Sequence, residues 1–139
     1  MKLSVKSDYA ARAVLALARH HANGKAQRIE DLASMYAIPA SYLVQILIEL
    51  KSRDLVRSVR GKAGGYLLAK QPAEITLGDV LRCVHGQVFD TPAFSDKNCP
   101  PELRRAWDRF RRSMESAADS INFQQLLEES DSKDKMYYI

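Results

Sequence analysis

The sequence predicts a mainly α fold with a small β wing: a winged helix-turn-helix followed by a long C-terminal dimerisation helix. Three observations carry this expectation. Three helical periods with a very short second connection fill the first part of the chain, a glycine-rich hairpin follows them, and an apolar row at heptad spacing occupies residues 103–121.

The first period runs from Ser7 to about His21. Ala10, Ala13, Val14, Leu17 and Ala18 recur at helical spacing, with Ser7 or Asp8 placed to cap the start. Asn23 and Gly24 end it. Ile29, Leu32, Ala33 and Tyr36 define a second, shorter helix, with Glu30 and Asp31 in the first turn where the helix dipole favours anions. Ala37, Ile38 and Pro39 break the chain tightly, after which Leu43, Ile46, Leu47 and Leu50 form the buried stripe of a third helix. The period then changes. Val56–Val59 reads as a strand, Arg60–Gly65 as a turn with three glycines, and Tyr66–Ala69 as the returning strand, which together make a wing.

Pro72 closes this module, and Thr76 with Asp79 opens a fourth helix carrying Leu77, Val80, Leu81 and Val84. Residues 86–101 hold Pro92, Pro100 and Pro101 and read as a loop long enough to suggest a function. Leu103, Trp107, Phe110, Met114, Ala117 and Ile121 follow at separations of 4, 3, 4, 3 and 4, the spacing of a coiled-coil seam. A helix over residues 102–122 with such a seam is expected to join two copies of the chain. A short helix with Leu126 and Leu127 then gives way to an acidic, Ser-rich tail. The expected organisation is a DNA-binding winged module at 1–72, a dimerisation and sensor region at 73–130, and a tail at 131–139.

Composition agrees with this division. The chain has 139 residues, 46% hydrophobic and 27% charged, ordinary values for one globular domain with an added element. Its net charge of +4 is unevenly spread. Residues 1–72 hold 12 Lys and Arg against 5 Asp and Glu, whereas 73–139 hold 9 against 12, so one half is suited to a polyanion. No apolar run approaches the roughly 20 residues of a membrane span. Lys2 and Lys6 precede Asp8 and Arg12 rather than an apolar core, so no secretory leader and a cytoplasmic location are expected. No glycine-rich phosphate loop, nucleophile and base pair, or His-rich metal spacing points to an enzyme, and the adjacent His20 and His21 cannot share a helix face.

A recognition helix buries one face and offers hydrogen-bonding side chains on the other, because base edges present donors and acceptors in the major groove. The third helix offers Ser41, Tyr42 and Gln45: Gln45 suits an adenine edge, and Ser41 and Tyr42 suit phosphate. Between Lys51 and Lys62 stand Lys51, Arg53, Arg57, Arg60 and Lys62 against one acid, Asp54. Arg60, backed by Gly61, suits a narrow minor groove, and Gly64 and Gly65, followed by Tyr66, would let backbone approach phosphate. Arg28 at the start of the second helix would add a phosphate contact. For each of these residues a plain solvated surface is the alternative. A protein-interaction module without DNA binding would be expected to have lost the basic wing, which this chain keeps.

The runs Asp8-Tyr9-Ala10, Ser41-Tyr42-Leu43 with Gln45, Arg60-Gly61 with Gly64 to Ala69, and Ile75-Thr76-Leu77 with Asp79-Val80 resemble the IscR/NsrR family of bacterial winged-helix regulators. The resemblance covers about residues 1–127. It implies a homodimer on a partly palindromic, double-stranded DNA operator, usually as a repressor, with the third helix in the major groove and the wing arginine in the minor groove. Val44 stands where the family's iron-sulfur regulator has a glutamate that shapes base preference, so the operator sequence is not implied.

Many members of that family hold an iron-sulfur cluster with three cysteines in the loop before the long helix. Here Asp90–Pro101 contains only Cys99, at the place of the last family cysteine; Thr91, Ala93 and Ser95 fill the region of the others and cannot replace thiolate. A three-cysteine cluster is therefore not expected, and no other cofactor is indicated. Cys99, expected in an exposed loop, is left as a redox switch, half of an intersubunit cluster site, or inert. Asp8 falls where some members supply a carboxylate from the other subunit, but a helix cap is the preferred reading. Cys83 reads as a small buried residue of the fourth helix, with His85 nearby.

Overall fold

A computed structural model describes residues 2–137, with side chains through Asp131. Six α-helices and one two-stranded sheet follow in the order α1 (Val5–Arg19), α2 (Ile29–Met35), α3 (Ala40–Ser52), β1 (Val56–Val59), β2 (Gly65–Leu68), α4 (Leu77–His85), α5 (Pro101–Asp119) and α6 (Phe123–Tyr137). Short 3-10 turns at Pro72–Glu74 and Pro92–Phe94 precede α4 and α5. This is the mainly helical, winged helix-turn-helix architecture that the periodicity predicts.

Helix α1 lies at the centre because its inward face is built from small side chains. Ala10, Ala13, Val14 and Ala16 are completely buried, which lets α2, α3, α4, α6 and β2 all approach it. Leu32, Ile38, Leu43, Ile46, Leu47, Leu50, Leu55, Val56, Leu68, Ile75 and Val80 complete one core. Burying a side chain of this size stabilises by about 1.5–3 kcal/mol relative to leaving it in water. The tight break between α2 and α3 places Ala37 at φ 55, and Ile38 N–H donates to Ala33 O at 2.9 Å. Arg12 of α1 donates to Tyr36 O, the C-cap carbonyl of α2, at 3.1 Å, so a cation sits where the helix dipole favours one.

The start of α1 differs from expectation. Ser4 is the cap, accepting from Ser7 N–H at 3.2 Å, while Ser7 is buried and Asp8 is exposed. Asp8 instead pairs with Arg12 at 2.7 Å and steadies the guanidinium that caps α2. At α4 the expected start is found as a full capping box: Asp79 N–H donates to Thr76 Oγ1 at 3.1 Å and Thr76 N–H to Asp79 Oδ2 at 3.0 Å.

The wing pairs antiparallel with Val56 opposite Leu68 and Val59 opposite Gly65, one residue earlier on the second strand than the predicted Tyr66 start. The C-terminal helices differ more. Helix α5 ends at Asp119 rather than near 122, and α6 continues to Tyr137 through most of the segment expected as a tail; residues 138–139 lie outside the described residues. Phe123 at the start of α6 is 1% exposed and belongs to the core beside α1. Leu77 N–H to Ile121 O at 2.9 Å and Phe123 N–H to Ile75 O at 3.1 Å bring it there.

Candidate nucleic-acid interface

Helix α3 presents its two sides very differently. Leu43, Ile46, Leu47 and Leu50 are buried, whereas Ser41, Tyr42, Val44, Gln45, Ile48, Lys51 and Ser52 are exposed. The geometry follows from 3.6 residues per turn: Ser41, Gln45 and Ile48 lie opposite the buried stripe. Tyr42 leans toward α1, its ring edge against Tyr9 at 5.2 Å between centroids. Glu49 on that flank pairs with Lys6 at 2.5 Å, which fixes the start of α1 against α3. Gln45 sits one turn before Glu49, with Nε2 at 3.4 Å from its carboxylate.

Lys51 joins this helix to the wing by donating to Ser58 Oγ of β1 at 2.9 Å. Arg28 reaches the wing from the other side and donates to Lys62 O at 2.5 Å. The turn is thus tied to the start of α2, where Arg28 is the N-cap. Lys51, Arg53, Arg57, Arg60 and Lys62 are all exposed, and none forms an ion pair among the described residues. Five uncompensated cations around a helix with an exposed outer face make a surface matched to a phosphate backbone.

The glycines of the wing have a different role from the one expected. A Cβ at Gly64 would collide with Val59 O, and one at Gly65 with Gln27 O, so these two positions admit the chain's own backbone rather than a phosphate. Gln27 and Tyr66 exchange backbone hydrogen bonds of 2.9 and 2.8 Å, anchoring β2 to the segment before α2. Tyr66 is half-buried against the core, and its backbone bonds to Gln27 anchor the wing. Gly61, at φ 103 with open space around it, shapes the exposed tip beside Arg60.

Helix α5 forms a second exposed surface of another kind. None of its 19 residues is buried, and Leu103 and Phe110 are each 45% exposed. Phe89 from the preceding loop stacks on Trp107 with centroids 6.1 Å apart and meets Phe110 edge-on at 5.1 Å. Asp108 pairs with Arg111 and Arg112 on the same helix. Asp119 receives both terminal nitrogens of Arg82 at 2.8 and 2.7 Å and so links α5 to α4. That hydrogen-bonded pair holds the Asp119 carboxyl below the usual carboxylate range and raises Arg82. Gly78 makes the pairing possible, since a Cβ there would occupy the place of the Asp119 carboxylate.

Cys99 is buried, 8% exposed, contrary to its expected place in an exposed loop. Arg104 of α5 accounts for the burial: it donates to Asp96 O at 2.7 Å, to Cys99 O at 3.2 Å and to Ala93 O at 3.4 Å, folding the loop onto the helix. Cys83 is half-buried rather than fully buried, and that burial pushes its thiol up from the ordinary value. His85 bonds Ser7 Oγ at 2.5 Å and lies at the start of α1.

A helix-turn-helix whose exposed helix is flanked by a basic hairpin defines a winged-helix, DNA-binding transcription regulator. Residues 3–129 match the family model Rrf2, described as an iron-dependent transcriptional regulator, and the chain belongs to this family. It is 30% identical over 137 residues to the HTH-type transcriptional regulator CymR of Bacillus subtilis, covering 99% of this chain and 97% of that one. Against the HTH-type transcriptional regulator IscR of Aliivibrio salmonicida it is 33% identical over 131 residues, covering 91% and 77%. The solved structure of T. potens IscR matches with a TM-score of 0.79 at 29% identity, covering 99% of this chain and 97% of that one.

The loop before α5 does not supply the three-cysteine ligand set that the resemblance would bring. Cys99 is the one thiol of the loop and is buried, and the loop backbone is already held by Arg104. Among the described residues, no group of three His, Cys, Asp or Glu side chains is placed to hold a metal ion. No single described helix is long and apolar enough to cross a membrane.

Proposed function

We propose that two copies of the chain bind a partly palindromic DNA operator and repress transcription by occupying it. Ser41, Tyr42, Gln45 and Lys51 enter or border the major groove, and Arg60 and Lys62 reach the adjacent minor groove and phosphates. Leu103, Trp107, Phe110, Met114, Ala117 and Ile121 of α5 form the face that joins the two copies. One observation carries the reading: the outer face of α3 is free of packing and passes directly, through Lys51 and Ser58, into an exposed hairpin of unpaired cations.

The division of labour follows from chemistry. Lysine and arginine contacts to phosphate supply affinity without sequence information, whereas the amide of Gln45 can bond the N6 and N7 edge of adenine and supply preference. Arg60 at the wing tip favours the deeper negative potential of a narrow minor groove. Joining two modules through α5 sets the distance between half-sites.

Regulation by a three-cysteine cluster forms no part of this reading, because the loop supplies one buried thiol. Anaerobically purified protein is expected to be colourless and iron-free and to bind DNA in that form; stoichiometric iron with visible absorption would contradict this part. The main test is selection of binding duplexes from a random pool, followed by light scattering of the complex. Enrichment of a partly palindromic sequence carrying two chains is expected. A complex with one chain, or no preference over the starting pool, would overturn the proposal.

A further inference from the structure

We propose that Val44 and Ile48 read thymine methyl groups, so that each operator half-site carries thymine where these two side chains meet the major groove. The inference deepens the reading of α3 as the groove-binding helix and rests on it.

The two residues stand one helical turn apart on the side of α3 away from its core stripe. Ile48 is 58% exposed and Val44 is 48% exposed, while Leu43 and Ile46 of the same helix are fully buried. Neither Val44 nor Ile48 is among the buried or partly buried side chains that build the core, and β-branched side chains favour a helix less than the Lys, Glu or Arg that usually fill a solvated face. Single exposed apolar residues are common on proteins, but here two are adjacent on the one face that the fold leaves open beside the wing.

Their surroundings favour duplex DNA over a second protein as the occupant. Ser41, Gln45 and Ser52 share the face, Lys51 borders it, and the exposed cations of the wing continue it. Such a surface complements a polyanion, whereas a protein contact of useful strength wants a larger apolar centre. Within a major groove the apolar group on a base edge is the C5 methyl of thymine. Gln45, the neighbour of Ile48 three residues earlier on the helix surface, suits adenine. Side chains for both partners of an A·T pair therefore stand side by side, and the half-site these residues specify is centred on A·T pairs.

The test begins with the duplex selected from a random pool by the full chain. Each thymine is replaced in turn by deoxyuridine, which removes the methyl group and leaves every hydrogen-bonding edge intact. At one or two positions per half-site the affinity of the wild type should fall about 3- to 10-fold, the scale of one buried methyl contact. V44A and I48A, whose side chains are exposed, should keep the wild-type melting temperature, and each should lose sensitivity to deoxyuridine at one position. A duplex without a sensitive thymine, or sensitivity that both variants retain, overturns the methyl reading while leaving α3 in the groove. Unchanged affinity of both variants on the selected duplex assigns the patch to a protein contact and also overturns it. Failure to enrich any duplex removes the underlying reading as well.

Discussion

Helices α3 and α5 both leave apolar side chains uncovered by the chain itself, yet the settings of those side chains differ. On α3 they are Tyr42, Val44 and Ile48, interleaved with Ser41 and Gln45 and bordered by cations without acidic partners. On α5 they are Leu103 and Phe110, with Trp107 beside them in an aromatic cluster; Asp108 pairs with Arg111 and Arg112, while Arg105 and Arg109 are exposed with no ion pair among the described residues. The first setting complements a duplex, whose backbone is uniformly negative and whose groove is mostly polar. The second, an apolar and aromatic row on an otherwise exposed helix, is the face proposed above to meet another copy of the chain. Exposure alone does not separate the two; the company does, polar Ser41 and Gln45 on α3 and a cluster of aromatic rings on α5.

The largest way to break this contrast is to place a charge in the second setting. F110D or M114D should give monomers in sedimentation, with dimer affinity reduced by at least about a hundredfold because an unpaired charge in an apolar contact costs several kcal/mol. A dimer that persists would show that the seam lies elsewhere. Next comes the removal of a cation from the first setting. R60A should weaken binding to the selected duplex roughly 10- to 100-fold at fixed salt while sedimentation still reports a dimer. Unchanged affinity would take the wing out of the interface.

A smaller effect is expected from the support of the wing. In G65A the added Cβ would meet Gln27 O, so the Gln27 to Tyr66 bridge must open. Thermal unfolding should reveal a loss of roughly 1–3 kcal/mol, and duplex affinity should fall less than in R60A. A variant as stable as the wild type would show that the bridge contributes little.

The smallest effect belongs to the α4–α5 link. Arg82 depresses the Asp119 carboxyl, so its stabilisation is present above the unfolded carboxylate's pKa near about 3.9 and is lost as pH falls through the lower folded value. The pair is partly exposed, which limits it to about 1 kcal/mol or less. D119N should therefore melt about 2–5 °C lower at pH 7, with the difference vanishing near pH 2. A difference independent of pH would point to packing and not charge.

The elements that sequence periodicity places well are those whose signal is local. The stripe at Leu43, Ile46, Leu47 and Leu50, the Thr76 and Asp79 capping box, and Gly61 at the wing tip each carry their reason within a few residues. What periodicity misses depends on contacts far along the chain. Phe123 is buried because Thr76 and Asn122 bridge, and Gly65 is constrained by Gln27, distant in sequence. Ser4 rather than Ser7 or Asp8 caps α1 because all three fit the local pattern, and the choice follows from Ser7 packing inward against His85. Cys99 is buried through Arg104, whose role of bonding three carbonyls has no signature in spacing. Ile48 escaped notice for the opposite reason: it lies off the core stripe, where apolar residues carry no periodic meaning.

The most direct test of a DNA-binding dimer built from α3, the wing and α5 is a hydroxyl-radical footprint of the full chain on its selected duplex, read beside major-groove methylation protection. The account predicts two protected major grooves related by symmetry and separated by a whole number of helical turns, each flanked by a protected minor groove where Arg60 lies. A single protected groove, or backbone protection without any protected minor groove, would contradict it.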